Sequence, residues 1–302
     1  MKPAPFAYVA PRSLGEALAL LARHGDEGKA LAGGQSLLPV LNFRLAQPAV
    51  LVDLNGVGEL ELLVPADDGG LRMGALTRHR QLEREPLVAE RAPLLAEAVH
   101  HIAHPQIRNR GTVGGSLAHA DPKAELPALA VALQARFRLQ RQGSERWVDA
   151  ADFYTGWFST DLAGDELLTE IVWPALPAGS GWAFEEAARR HGDYAQVGVA
   201  AIVRLDGAGR CAAARLVFLA VGDGPLLAQR AAAALVGETP GEGPIAAAAE
   251  AAAGEIEPRG DVHASPEFKR HLARVLTARV LRRAFARATA GARPDQAEAA
   301  GV

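Results

Sequence analysis

Leu14, Ala17, Leu18 and Leu21 fall on one helical face behind Ser13 and Glu16, which are spaced as a capping box, and predict a first helix that ends near Gly25. Residues 29–32 then read as a short strand running into Gly33 and Gly34. Residues 49–54 read as a buried strand bounded by Pro48 and by Asn55-Gly56, so a βαβ-like N-terminal lobe is expected. Residues 93–102 and 122–133 read as helices on either side of a glycine-rich stretch, and residues 136–139 and 167–173 as strands. Beyond Pro174 and Pro177 the pattern changes to strand-like residues 197–205 and 213–221, followed by alanine-rich helical segments. A domain boundary is therefore expected near Pro177. The last long helix is capped by Ser265 with Pro266 at its first position, and the stripe Phe268, Leu272, Val275, Leu276 and Phe285 is expected in a core. Residues 237–244 read as a turn-rich connector and residues 288–302 as a loose tail.

Length and composition narrow the class. A chain of 302 residues is long for one core and suggests two domains. With 49% hydrophobic and 22% charged residues and a net charge of −3, it falls among ordinary globular proteins, with nothing favouring nucleic acid or an anionic membrane as partner. No apolar run approaches the about 18 residues of a membrane span, and the proline-punctuated start lacks a signal-peptide core, so a cytoplasmic location is expected. Cys211 is the only cysteine, which excludes an internal disulfide and any cysteine-ligated iron-sulfur cluster in this chain.

Two glycine-rich loops carry the candidate chemistry. Ala32, Gly33, Gly34, Gln35, Ser36 and Leu37 follow a short strand, and consecutive glycines let backbone N–H groups turn toward one point, which suits a phosphate oxygen. Gly111, Thr112, Gly114, Gly115 and Ser116 repeat the mixture of glycines and hydroxyls before the next helix. Neither loop is a Walker A or a Rossmann sequence. Taken alone, the first loop reads as a plain tight turn before it reads as a phosphate nest; as a pair the two could share the doubly charged pyrophosphate of a dinucleotide. Arg108 and Arg110 flank the second loop and are expected to be solvated. Asp121, ahead of Pro122, reads either as a helix cap or as an acceptor for sugar hydroxyls. His119 has no triad partner, and His100, His101 and His104 lack a metal-site context, so neither a catalytic nucleophile nor a metal ligand is expected.

The segments AGGQSLLPVLNFRLAQPAVLVDLN and IAHPQIRNRGTVGGSLAHADPKAELPAL closely resemble those of the FAD-binding medium subunits of molybdenum hydroxylases of the carbon monoxide dehydrogenase and xanthine dehydrogenase type. The opening pattern of Pro3, Phe6, Tyr8, Pro11, Ser13, Leu14 and Glu16 is also typical, as are RRHGDYA and FKRHLARVLTARVL. The resemblance implies an α+β protein: a two-lobed FAD-binding domain of the vanillyl-alcohol-oxidase (PCMH) type over residues 1–177, with lobes of about 1–55 and 56–177. A small α+β domain over residues 178–288 and a tail at 289–302 would follow. It implies that the loops at Ala32 to Leu37 and Gly111 to Ser116 wrap the FAD phosphates, that His119 approaches the flavin, and that Glu125 contacts the sugar part. Leu167, Leu168 and Tyr194 would lie near the ring system. Two departures are visible: Glu125 stands where relatives usually have Asp, and Glu185-Glu186 where some have Lys.

The resemblance further implies an oxidoreductase subunit whose chemistry belongs to its cofactor. A large subunit would carry the molybdopterin cofactor and a small one two [2Fe-2S] clusters, with FAD on this chain passing electrons to NAD or a quinone. A dimer of heterotrimers is the implied assembly, and the substrate is chosen elsewhere. Rival readings are a stand-alone FAD oxidoreductase and a scaffold subunit that has lost FAD. The first is disfavoured by the C-terminal resemblance and by the lack of a histidine in the first loop for covalent flavin attachment, the second by the intact glycines.

Overall fold

A computed structural model describes residues 1–291 of the chain. Internal contacts divide them into two compact units. The first joins Met1–Asp121 to Leu133–Ala175, and the second joins Pro122–Ala132 to the chain from Leu176 onward.

In the first unit, Ala7–Val9 and Gly28–Leu31 both pair in parallel with Val50–Asp53, which lies between them. Helix Leu14–His24 makes the crossover that a parallel pair requires, with the Ser13 hydroxyl accepting from the Glu16 amide at its start. Ala17, Leu18 and Leu21 of that helix join Val50, Val52 and Leu54 in one core, as the helical period requires. Strand Ala7–Val9 is absent from the expected elements because three residues are too few to show a period. An antiparallel sheet adds strands in the order Leu63–Pro65, Leu71–Gly74, Leu167–Trp173, Arg136–Arg141 and Ser144–Asp149.

In the second unit an antiparallel sheet of Ser180–Ala187, Val197–Leu205, Cys211–Leu219 and Leu226–Leu227 packs against helices Glu242–Glu255 and Pro266–Gly291 through a shared core. Helix Glu125–Ala132 is buried along its whole length and belongs here, against the sheet, although it is flanked in sequence by segments of the first unit. The expected stripe on the last helix is rotated. Leu276 and Phe285 are buried, but Phe268 is exposed and Leu272 and Val275 only partly covered; Lys269, Ala273, Val280, Leu281 and Ala284 take the inner face. Lys269 can be buried because its ammonium donates to Asp261 Oδ2 and the Arg259 carbonyl, both at 2.9 Å. Small residues on the inner face let the backbones approach: a Cβ on Gly181 would sit 1.9 Å from the Ala284 carbonyl oxygen. Gly181→Ala is therefore expected to destabilise this unit by about 2 kcal/mol. Denaturant midpoints equal to wild type would show that the helix can retreat at no cost. The last helix runs to Gly291, and the rest of the expected tail lies outside the described residues.

Candidate functional site

The first loop leaves the parallel sheet at the end of Gly28–Leu31 and enters helix Leu37–Asn42. Gly34 adopts φ 73°, the left-handed region that glycine takes without strain, and this reverses the chain so that Leu38 N–H donates to the Gly34 carbonyl at 3.0 Å. Gln35 folds its amide back onto the Gly33 carbonyl at 3.1 Å. The backbone amides of Gly33, Gly34, Gln35 and Ser36 have no acceptor among the described residues. Half-buried amides left this way favour an external anion, since an unmet donor is costly.

The second loop presses directly on the first: a Cβ on Gly33 would sit 2.3 Å from the Arg110 carbonyl oxygen and 2.9 Å from Gly111 Cα. Here the expected nest of free amides does not form, because Thr112 caps helix Val113–His119 and Gly114, Gly115 and Ser116 lie in that helix rather than in a loop. Gly111 N–H donates to Ile107, Val113 N–H to Thr77, Gly114 N–H to Ala75 and Ser116 N–H to Thr112, all to carbonyls, while Gly115 N–H donates to the capping Thr112 hydroxyl. Its glycines serve close approach instead. A Cβ on Gly114 would meet Ala75 Cβ at 2.4 Å, and one on Gly115 the Thr112 hydroxyl at 2.6 Å. What this segment leaves for a ligand is the half-buried pair Gly115 and Ser116.

His79, which sequence reasoning did not single out, holds the second loop in place. Its N–H donates to the Gly111 carbonyl at 3.0 Å and its Nε2, 3.0 Å from the Thr112 carbonyl oxygen, must be the protonated nitrogen because a carbonyl only accepts. Nδ1 is buried with no partner among the described residues, and burial holds the imidazole down to about 4. Nothing in the local pattern around His79 marks this role. Arg108, expected in solvent, is buried: its Nε donates to Glu83 at 3.1 Å and its Nη1 to the Ile102 and Ala103 carbonyls. It braces the short helix Pro105–Arg108 ahead of the loop. Arg110 is exposed.

The remaining expected residues divide between the units. His119 is half-buried beside Phe158, ring centroids 5.0 Å apart, and burial lowers its pKa against the opposing pull of Asp121. Asp121 is not a helix cap, because the helix that follows starts only at Glu125. Leu167 and Leu168 are buried at the start of the central strand of the antiparallel sheet, where Leu167 joins the core under the parallel sheet. Glu125, buried, and Tyr194, exposed, belong to the second unit. The first unit thus brings together one loop with unengaged amides and a second loop locked against it. That arrangement fits the phosphates of a dinucleotide: backbone donors meet the charge, and the glycines leave room for close approach.

Comparison with known proteins bears on the same segments. A family model described as the FAD binding domain in molybdopterin dehydrogenase matches residues 4–176, and one described as the CO dehydrogenase flavoprotein C-terminal domain matches residues 182–284. The chain is 44% identical to the 6-hydroxypseudooxynicotine dehydrogenase complex subunit alpha of Paenarthrobacter nicotinovorans, covering 95% of this chain and 97% of that protein. It is 36% identical to the carbon monoxide dehydrogenase medium chain of Afipia carboxidovorans, covering 95% and 99%. Its fold matches a chain of the carbon monoxide dehydrogenase from Hydrogenophaga pseudoflava with a TM-score of 0.92 at 41% identity, over 95% of this chain and 99% of that one.

Proposed function

The chain belongs to the family of FAD-binding medium subunits of molybdenum hydroxylases, an oxidoreductase family, and from that premise we propose that its first unit holds FAD by the pyrophosphate at the two glycine loops. The observation that carries this reading is the run of four unengaged amides at Gly33, Gly34, Gln35 and Ser36, facing no acceptor of the described protein. Ala32 and Leu37 bound that run, and Gly111, Thr112, Gly114, Gly115 and Ser116 form the opposing wall. Asp121 is assigned to the sugar and ribityl side, His119 to the approach to the flavin, and Leu167 and Leu168 to the apolar surroundings of the ring.

When bound, FAD supplies two-electron redox chemistry between iron-sulfur clusters on a partner and an external acceptor such as NAD or a quinone. The chain's own residues bind and orient, and none is required as a general acid or base. Gly33 and Gly34 admit the phosphates, and the buried Leu167 and Leu168 keep water from the sheet beneath. In this reading a large subunit carries the molybdopterin cofactor and a small one two [2Fe-2S] clusters. The assembly is a dimer of heterotrimers in the cytoplasm, with residues 1–177 as the FAD domain and 178–288 as the C-terminal domain. Support for partners comes from the relatives, one of which is named as a subunit of a dehydrogenase complex. Among the described residues no helix is long and apolar enough to cross a membrane.

The test is cofactor extraction. Protein purified with its co-purifying subunits is expected to release about one FAD per copy of this chain, identified by mass, with molybdenum and iron in the same fraction. Protein that neither carries nor takes up FAD would reject the reading.

A further inference from the structure

We propose that Arg78, oriented by Asn55, is a positioning residue that ties the two glycine loops together and so sets the pyrophosphate cradle before the ligand arrives. The inference rests on the FAD reading above and deepens it. Arg78 Nη2 donates to Asn55 Oδ1 at 2.6 Å, and its Nη1 donates to the Arg110 carbonyl of the second loop. Asn55 Nδ2 donates to the Ala32 carbonyl of the first loop at 2.9 Å. Asn55 is itself held by Asp53, which accepts from the Asn55 backbone amide at 2.9 Å and from the Tyr8 hydroxyl through its other oxygen. One continuous strut therefore runs from the Ala32 carbonyl through Asn55 and Arg78 to the Arg110 carbonyl.

The two carbonyls it grips immediately precede Gly33 and Gly111. In a planar trans peptide the C=O and the following N–H point in opposite directions, so anchoring the Ala32 carbonyl on Asn55 aims the Gly33 N–H away from the strut. That amide is one of the four with no acceptor among the described residues. The Arg110 carbonyl is also the atom against which Gly33 packs, at 2.3 Å from a Cβ placed there, so the strut sets how closely the loops meet. Arg78 contributes charge as well as geometry. Both acceptors its guanidinium uses, the Asn55 amide oxygen and the Arg110 backbone carbonyl, are neutral, which leaves a cation between two loops that are to face a doubly negative group. The neighbouring residues extend the grip on the second loop, His79 on Gly111 and Thr112, and Arg80 on Asn109.

The experiment measures FAD affinity by quenching of flavin fluorescence, using the full chain with its co-purifying subunits after flavin removal, for wild type, Arg78→Met, Asn55→Ala and the double variant. Each single variant is expected to raise the FAD Kd about tenfold or more. The flavin-free proteins should melt within about 4 °C of wild type, which separates loss of the cradle from loss of the fold. Because both residues act through one strut, the double variant should be no worse than the weaker single by more than about threefold. A wild type that binds FAD while both singles bind it within about twofold of wild type would overturn the strut and leave the FAD reading standing, as would losses that multiply in the double variant. A wild type that never takes up FAD would overturn the reading beneath it.

Discussion

Gly33→Ala is expected to weaken FAD binding about 100-fold, or roughly 3 kcal/mol, while leaving the rest of the chain folded. The single added methyl would sit 2.3 Å from the Arg110 carbonyl oxygen and 2.9 Å from Gly111 Cα. Both obstacles are backbone, so no side-chain rotation relieves them and the two loops must separate. Separation disturbs the spacing that lets the free amides and the opposing wall meet one pyrophosphate. Gly34→Ala strains a left-handed position at φ 73° and should cost less, about 1 to 2 kcal/mol, because its nearest contacts are movable leucine side chains. Gly15→Ala is the control: nothing lies within 4 Å of its Cβ position, in the first turn of helix Leu14–His24, so it should leave FAD binding unchanged and stabilise slightly. Equilibrium dialysis of FAD against the three variants reads these differences, and Gly33→Ala protein that keeps wild-type affinity would mean that the loops need not touch.

Lowering the pH from 6.5 toward 4 is expected to remove about 3 kcal/mol of stability through His79 alone and to release the flavin over the same range. The imidazole is held down from 6.5 to about 4 chiefly by burial. Between those values the unfolded chain binds a proton that the folded chain refuses, so the contribution is complete above 6.5 and is lost as pH falls through the folded value. The geometry gives the same sign. Nε2 already donates to the Thr112 carbonyl, and a second proton on Nδ1 would face Gly111 with no acceptor among the described residues. His79→Gln keeps an amide that can donate to Thr112 and has nothing to titrate, so it should flatten the pH dependence of the denaturation midpoint across this range. Parallel pH profiles for wild type and His79→Gln would sink the assignment.

Much of the local design is legible along the chain. Ser13 with Glu16 and Ser265 with Pro266 mark helix starts that the structure keeps, and the glycines at 33, 34, 111, 114 and 115 mark the backbone that must turn or be approached closely. Such signals are carried by residues within one or two turns of each other, where propensity and capping act.

What the two loops do differently was decided by tertiary structure. Both show the same glycine-and-hydroxyl composition, yet the first keeps four consecutive amides free, while Thr77 and Ala75 supply carbonyls to the second from more than thirty residues away in sequence. The burial of Arg108, the inward place of Lys269 and the transfer of Glu125–Ala132 to the second unit have the same origin. So does the strut from Ala32 through Asn55 and Arg78 to Arg110. By itself the sequence determined where helices begin, where the chain can bend and which residue types stand at the loops. Which donor meets which acceptor was settled only when distant segments closed on one another, since a hydrogen bond between residues far apart in the chain depends on the path of everything between them.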